Sequence, residues 1–150
     1  MDKNRTIAHF GMDFYGKLIL DMETYQALWG LSELEQIDYY SVNCIFKCVS
    51  KKYGPCILKI GNPSQQTHTE YQTLKEYNGG DFCTVYQADI ANGVLLLERI
   101  IPGIPLRSEP DLDKRLDAFC NLWSGMHRDA ANKAVYPTYM QWVSRITAYM

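Results

Sequence analysis

Residues 56–60, Cys56-Ile57-Leu58-Lys59-Ile60, make an apolar ladder interrupted by one lysine. Side chains alternate along a strand, so Ile57 and Lys59 share a face. Just before it, Lys51-Lys52-Tyr53-Gly54-Pro55 reads as a turn. Further upstream, Tyr39, Tyr40 and Val42, then Ile45, Phe46 and Val49, are β-branched or aromatic residues suited to strands, with a polar break over 41–43. The stretch Tyr39–Ile60 therefore reads as a meander of antiparallel strands. On the other side, Asn62-Pro63-Ser64 ends the ladder and opens a helix with Ser64 as its N-cap. Thr67, Tyr71, Leu74 and Asn78 share one face of that helix, and Asn78-Gly79-Gly80-Asp81 stops it.

Two more strands follow, over Phe82–Ala88 and Val94–Ile100, joined through Ala91-Asn92-Gly93. An Asn-Gly pair between apolar runs is the strongest short-range hairpin signal. Ahead of the meander, Phe14, Leu18, Met22, Tyr25 and Trp29 recur at helical spacing up to Gly30. The order is helix, three strands, helix, two strands. It predicts an α+β fold, a five-stranded antiparallel sheet with one helix inserted after its third strand. Ile101-Pro102-Gly103-Ile104-Pro105 cannot pair regularly and marks a boundary. A helix is expected to start near Ser108–Asp111 and to carry Leu112, Leu116, Phe119, Cys120, Trp123, Met126 and His127 on helical spacing. An aromatic-rich helical pattern closes residues 130–150. The organisation read from this is 1–100, a linker over 101–107, and 108–150.

Composition excludes several classes. Nearly half of the 150 residues are apolar and the formal net charge is −2, so the chain is globular and offers no basic surface to nucleic acid. Five cysteines, Cys44, Cys48, Cys56, Cys83 and Cys120, lack any CxxC pairing and mostly sit in apolar runs. They read as small core residues of a reducing, cytoplasmic protein rather than as metal ligands or disulfides. No apolar stretch reaches membrane-spanning length, and the first residues lack a signal-peptide pattern.

Three marks stand in order: Lys59 on its strand, Glu70 eleven residues on within the next helix, and the strand 95–103, LLLERIIPG, which runs into a Pro-Gly hinge. Together with the Trp29-Gly30-Leu31 approach and the run 58–74, LKIGNPSQQTHTEYQTL, they resemble a protein-kinase-like N-lobe. In wording they are similar to aminoglycoside phosphotransferases, especially the streptomycin/hydroxyurea kinase branch. Such chemistry must hold nucleotide phosphates and neutralise their charge. The resemblance implies that Lys59 contacts the α/β-phosphates, that Glu70 pairs with it, and that Ile57 covers the adenine. It also implies that the backbone of Glu98 and Ile100 binds the adenine edge and that the loop Ser41-Val42-Asn43 lies over the phosphates. Taken singly, each mark has a plain structural reading: a solvent-facing strand lysine, a solvated helix glutamate, a turn.

Where the chain departs from nucleotide-binding patterns is also informative. It contains no GxGxxG and no GxxxxGK[ST], which excludes a P-loop NTPase. His127-Arg128-Asp129 spells the protein-kinase catalytic tripeptide, but Asn132 follows Asp129 by three positions where the pattern requires five. His127 reads instead as a helix-end packing residue. The resemblance thus matches the front half of a family member, a kinase-like N-lobe, hinge and first helices of a helical C-lobe. It assigns no catalytic residue, and magnesium is expected only with the remainder of the C-lobe. The expected function is ATP binding within a phosphotransferase acting on a small hydroxylated molecule, without turnover by these residues alone. A non-catalytic nucleotide-binding or protein-interaction module is the alternative, and a sheet protein with no nucleotide site is a third. Self-association is expected through the apolar stripe of helix 108–127.

Overall fold

A computed structural model describes residues 2–37, 42–77 and 79–148. Its elements are α1 (Lys3–Phe10), α2 (Met12–Trp29), β1 (Leu31–Gln36), β2 (Cys44–Ser50), β3 (Gly54–Ile60), α3 (Gln65–Tyr77), β4 (Val85–Asp89), β5 (Val94–Glu98), α4 (Leu112–Met126) and α5 (Tyr139–Thr147). Short 3-10 turns lie at Leu106–Ser108 and Lys133–Val135. The five strands form one antiparallel sheet in the order β1-β2-β3-β5-β4, with α3 inserted between β3 and β4. The fold is α+β, as the spacing of apolar runs and turn residues predicts.

The core lies between α2 and one face of this sheet. Phe14, Leu18 and Tyr25 from α2 meet Phe46, Cys48, Cys56, Leu58, Ile60, Val94 and Leu96, all nearly or fully buried. Gly30 ends α2 in the left-handed region, φ 61°, which a glycine adopts without a Cβ penalty. Polar ties hold α2 across the sheet's far end. The Lys17 ammonium pairs with Asp21 and donates to the Gly61 carbonyl at 2.9 Å. The Tyr25 hydroxyl donates to Asp89 at 2.8 Å, and Asn92 donates to the same carboxylate.

Several expectations need correction. The first strand is Leu31–Gln36, upstream of the stretch around Tyr39 that the aromatic residues favoured. Tyr39, Tyr40 and Ser41 lie outside the described residues, and Val42 precedes β2 in a bend. β1 pairs with β2 alone, its register shifts between Ser32 and Glu35, and Glu33 has φ 56°. An edge strand with an irregularity needs no run of apolar residues, and LSELEQ has none. Helix α1, capped by the Asp2 carboxylate on the Arg5 N–H, was not expected. β4 begins at Val85 rather than Phe82, and β5 ends at Glu98 rather than Ile100; α4 begins where expected, just after Asp111, whose side chain caps it.

Candidate functional site

The face of the sheet turned away from α2 carries the residues of interest. Ile45, Lys47, Ile57 and Lys59 are half-buried and alternate with the buried Phe46, Cys48, Cys56 and Leu58. In register, Ile57 and Lys59 oppose Leu97 and Leu95 of β5. Lys59 therefore rises from an apolar ledge.

Its partner arrives on α3. Ser64 caps that helix, its hydroxyl accepting from the Thr67 N–H at 3.1 Å, and this fixes the entry of the chain. Glu70 then points at β3, and both its oxygens accept from the Lys59 ammonium, at 2.7 and 2.6 Å. The pair is partly shielded, with side-chain exposures of 18% and 34%. A bidentate, charge-assisted contact of this kind holds a lysine in one rotamer, which positions its charge ahead of any ligand.

Around this pair, Asn43 packs its side chain against Gly61, where an added Cβ would fall 1.9 Å from the Asn43 Oδ1. Glu98 is tied to the head of β4: its N–H donates to the Thr84 carbonyl at 2.8 Å, and its carboxylate accepts from the Thr84 N–H at 2.9 Å. Hydrogen bonds from the Thr84 backbone and side chain hold the Glu98 carboxyl below its ordinary range. Cys83 lies in the field of Glu70, Glu98 and Lys59, and burial pushes its thiol up. Ile100 is exposed beyond the end of β5.

The structure thus brings Ile57, Lys59 and Glu70 together on one sheet face, with Asn43 against Gly61 on the same side; Glu98 pairs with the core residue Cys56 and so falls on the α2 side, leaving only its backbone for the site, Ile100 is exposed beyond β5, and Ser41 falls outside the described residues. Sequence reasoning missed Lys47, Cys83 and Thr84. Alternation over Ile45-Phe46-Lys47-Cys48 carries a signal for Lys47, whereas nothing in the sequence marks the other two. A groove of about 1270 Å³ also runs between α3 and residues 134–144, with Thr69, Glu70, Tyr136 and Met140 on its walls.

His127 and Arg128 form no catalytic arrangement. The His127 ring stacks edge-on against Trp123, with Nδ1 3.3 Å from the Trp123 carbonyl, and Arg128 lies over the Tyr77 ring at 5.1 Å. Among the described residues, no group of three or more His, Cys, Asp or Glu side chains has a metal-holding arrangement, and no helix is long and apolar enough to cross a membrane.

No protein-family model matches the chain, and no curated protein matches its sequence.

Proposed function

We propose that the chain is the nucleotide-binding portion of an ATP-dependent small-molecule phosphotransferase of the aminoglycoside/hydroxyurea kinase kind. On this reading, residues 1–100 are a kinase-like N-lobe, 101–107 the hinge and linker, and 108 onward the start of a helical lobe. The observation that carries it is the bidentate Lys59–Glu70 pair, a cation fixed on a central strand by the helix inserted after that strand. The strand order and the apolar ledge of Ile57 and Leu97 beside the cation support it further. The adenine lies on Ile57 with its edge toward the backbone at Glu98 and Ile100, and the α/β-phosphates reach Lys59. The small hydroxylated acceptor belongs to the phosphotransferase as a whole, and the free thiols suit a cytoplasmic setting.

On this reading the described groups around Lys59 bind and orient the nucleotide. Glu70, the carboxylate beside Lys59, is already engaged by it through both oxygens. ATP binding is accordingly weak, near millimolar or about −4 kcal/mol, and insensitive to magnesium. Titration of ATP and adenosine, followed by NMR shifts of wild type and Lys59→Ala, tests the reading. Lys59→Ala weakens ATP more than adenosine. Tight magnesium-dependent binding, or no shift with either ligand, overturns it.

An interaction module is the second reading, favoured by the exposed apolar side chains of α4 and α5, Phe119, Trp123 and Trp142 among them. Wild type silent to both nucleotide ligands selects it.

A further inference from the structure

We propose that Lys47 is a second ligand-contacting cation, one that meets the nucleoside end of the site while Lys59 meets the phosphates. The inference rests on the nucleotide reading above. Strands β2 and β3 pair so that Ile45 opposes Lys59 and Lys47 opposes Ile57. Both lysines therefore stand on the ligand face, diagonal to one another, a relation in which cross-strand neighbours lie roughly 7–8 Å apart.

The sheet's own direction separates their roles. Ile57 pairs with Leu97, next to Glu98, where β5 leaves the sheet; Lys59 pairs with Leu95, two residues farther back. A base that lies on Ile57 with its edge toward Glu98 is level with Lys47, whereas the phosphates must run on toward Lys59. The two cations also differ in freedom. Glu70 grips Lys59 with both oxygens, but the ion-pair partner of Lys47 is Glu35, 3.8 Å away and 73% exposed. An exposed pair at that distance holds its members loosely. Lys47 is thus able to turn onto a ligand, its stem extending the apolar ledge and its ammonium lying over the face of an aromatic base.

The test uses the 150-residue chain in four forms, wild type, Lys47→Met, Lys47→Arg and Lys59→Ala, each titrated with adenosine and with ATP by NMR. Lys47→Met keeps an apolar stem and removes the charge, so both ligands weaken together, by about threefold. Lys47→Arg keeps the charge and binds like wild type, which separates charge loss from damage to the fold. Lys59→Ala weakens ATP alone. If Lys47→Met leaves adenosine unchanged, whether or not ATP weakens, the inference is overturned while a normal Lys59→Ala result keeps the nucleotide reading. Wild type that binds neither ligand removes both.

Discussion

Gly93 and Gly30 both have positive φ, 74° and 61°, but their surroundings differ, and alanine at each should show it. At Gly30 an added Cβ meets only the flexible Lys51 side chain at 3.6 Å or beyond, an ordinary contact. Gly30→Ala therefore costs the left-handed strain alone, about 1–2 kcal/mol. At Gly93 the Cβ falls 2.8 Å from the Asn62 carbonyl carbon and 2.8 Å from the Gly61 oxygen, both backbone atoms that cannot swing aside. Overpacking of this kind adds about 1–3 kcal/mol. Gly93→Ala is thus expected to cost about 2–5 kcal/mol, a large share of the 5–15 kcal/mol typical of a domain. The Gly93 carbonyl accepts from the Gly61 N–H at 3.0 Å, so the displaced segment is the one that joins Lys59 to the Ser64 cap. On the proposed nucleotide reading, surviving Gly93→Ala protein should also bind ATP less well than Gly30→Ala does. Urea unfolding followed by circular dichroism reads both costs, with an unchanged slope as evidence that only stability moved. Equal midpoints for the two variants, or a Gly93→Ala cost below about 1 kcal/mol, would refute the packing argument.

Other outcomes follow from the same contacts. Burial pushes the Cys44 and Cys48 thiols up to about 11, while Cys120 is exposed, so an aromatic disulfide reagent at neutral pH should label Cys120 fast and the buried pair only as the sheet opens; simultaneous labelling of all thiols contradicts this. The hydrogen bond from Tyr25 lowers the Asp89 carboxyl, so its contribution is present above the unfolded carboxylate range and fades as pH falls through the folded value. Tyr25→Phe should shrink that acid-side loss, and identical acid profiles would refute the assignment. Burial, then the bond to Asp89, raises Tyr25 to about 12, so its stabilising effect is full below pH about 10 and is lost as pH climbs toward that value, which ultraviolet titration of the phenolate reads. Leu116, Phe119 and Trp123 on α4 are exposed, and light scattering should show reversible self-association that Phe119→Glu suppresses; a clean wild-type monomer at high concentration contradicts it.

The parts of this fold that were legible in the sequence are those where local and tertiary demands agree. β3 and β5 are buried on the α2 face, so each reads as an apolar run, and Ser64 and Asn92-Gly93 mark their ends by side-chain chemistry that works over three or four residues. The Lys59–Glu70 contact was legible for the same reason: a strand, a cap and a helix of fixed pitch leave few places for Glu70 to point. β1 was not legible, because an edge strand with a displaced register is held by pairing to β2 and needs little burial of its own. The Glu98–Thr84 clamp joins residues fourteen apart through a backbone N–H, a donor every residue but proline carries, so no residue type announces it. Lys47 shows a middle case. Alternation gave its face, but only the pairing of Lys47 with Ile57 gave its level along the site.

The two lysines of β2 and β3 also guard the sheet against assembling wrongly. Were β3 to flip by one position, Leu58 would turn outward and Lys59 would enter the apolar layer beneath α2, where Glu70 does not reach. The same error in β2 would drive Lys47 inward. An uncompensated ammonium there costs several kcal/mol, comparable to the whole margin of folding. Each misaligned pairing therefore carries a built-in penalty, and the side chains proposed to serve a ligand in the folded protein proofread the nascent sheet before any ligand is met.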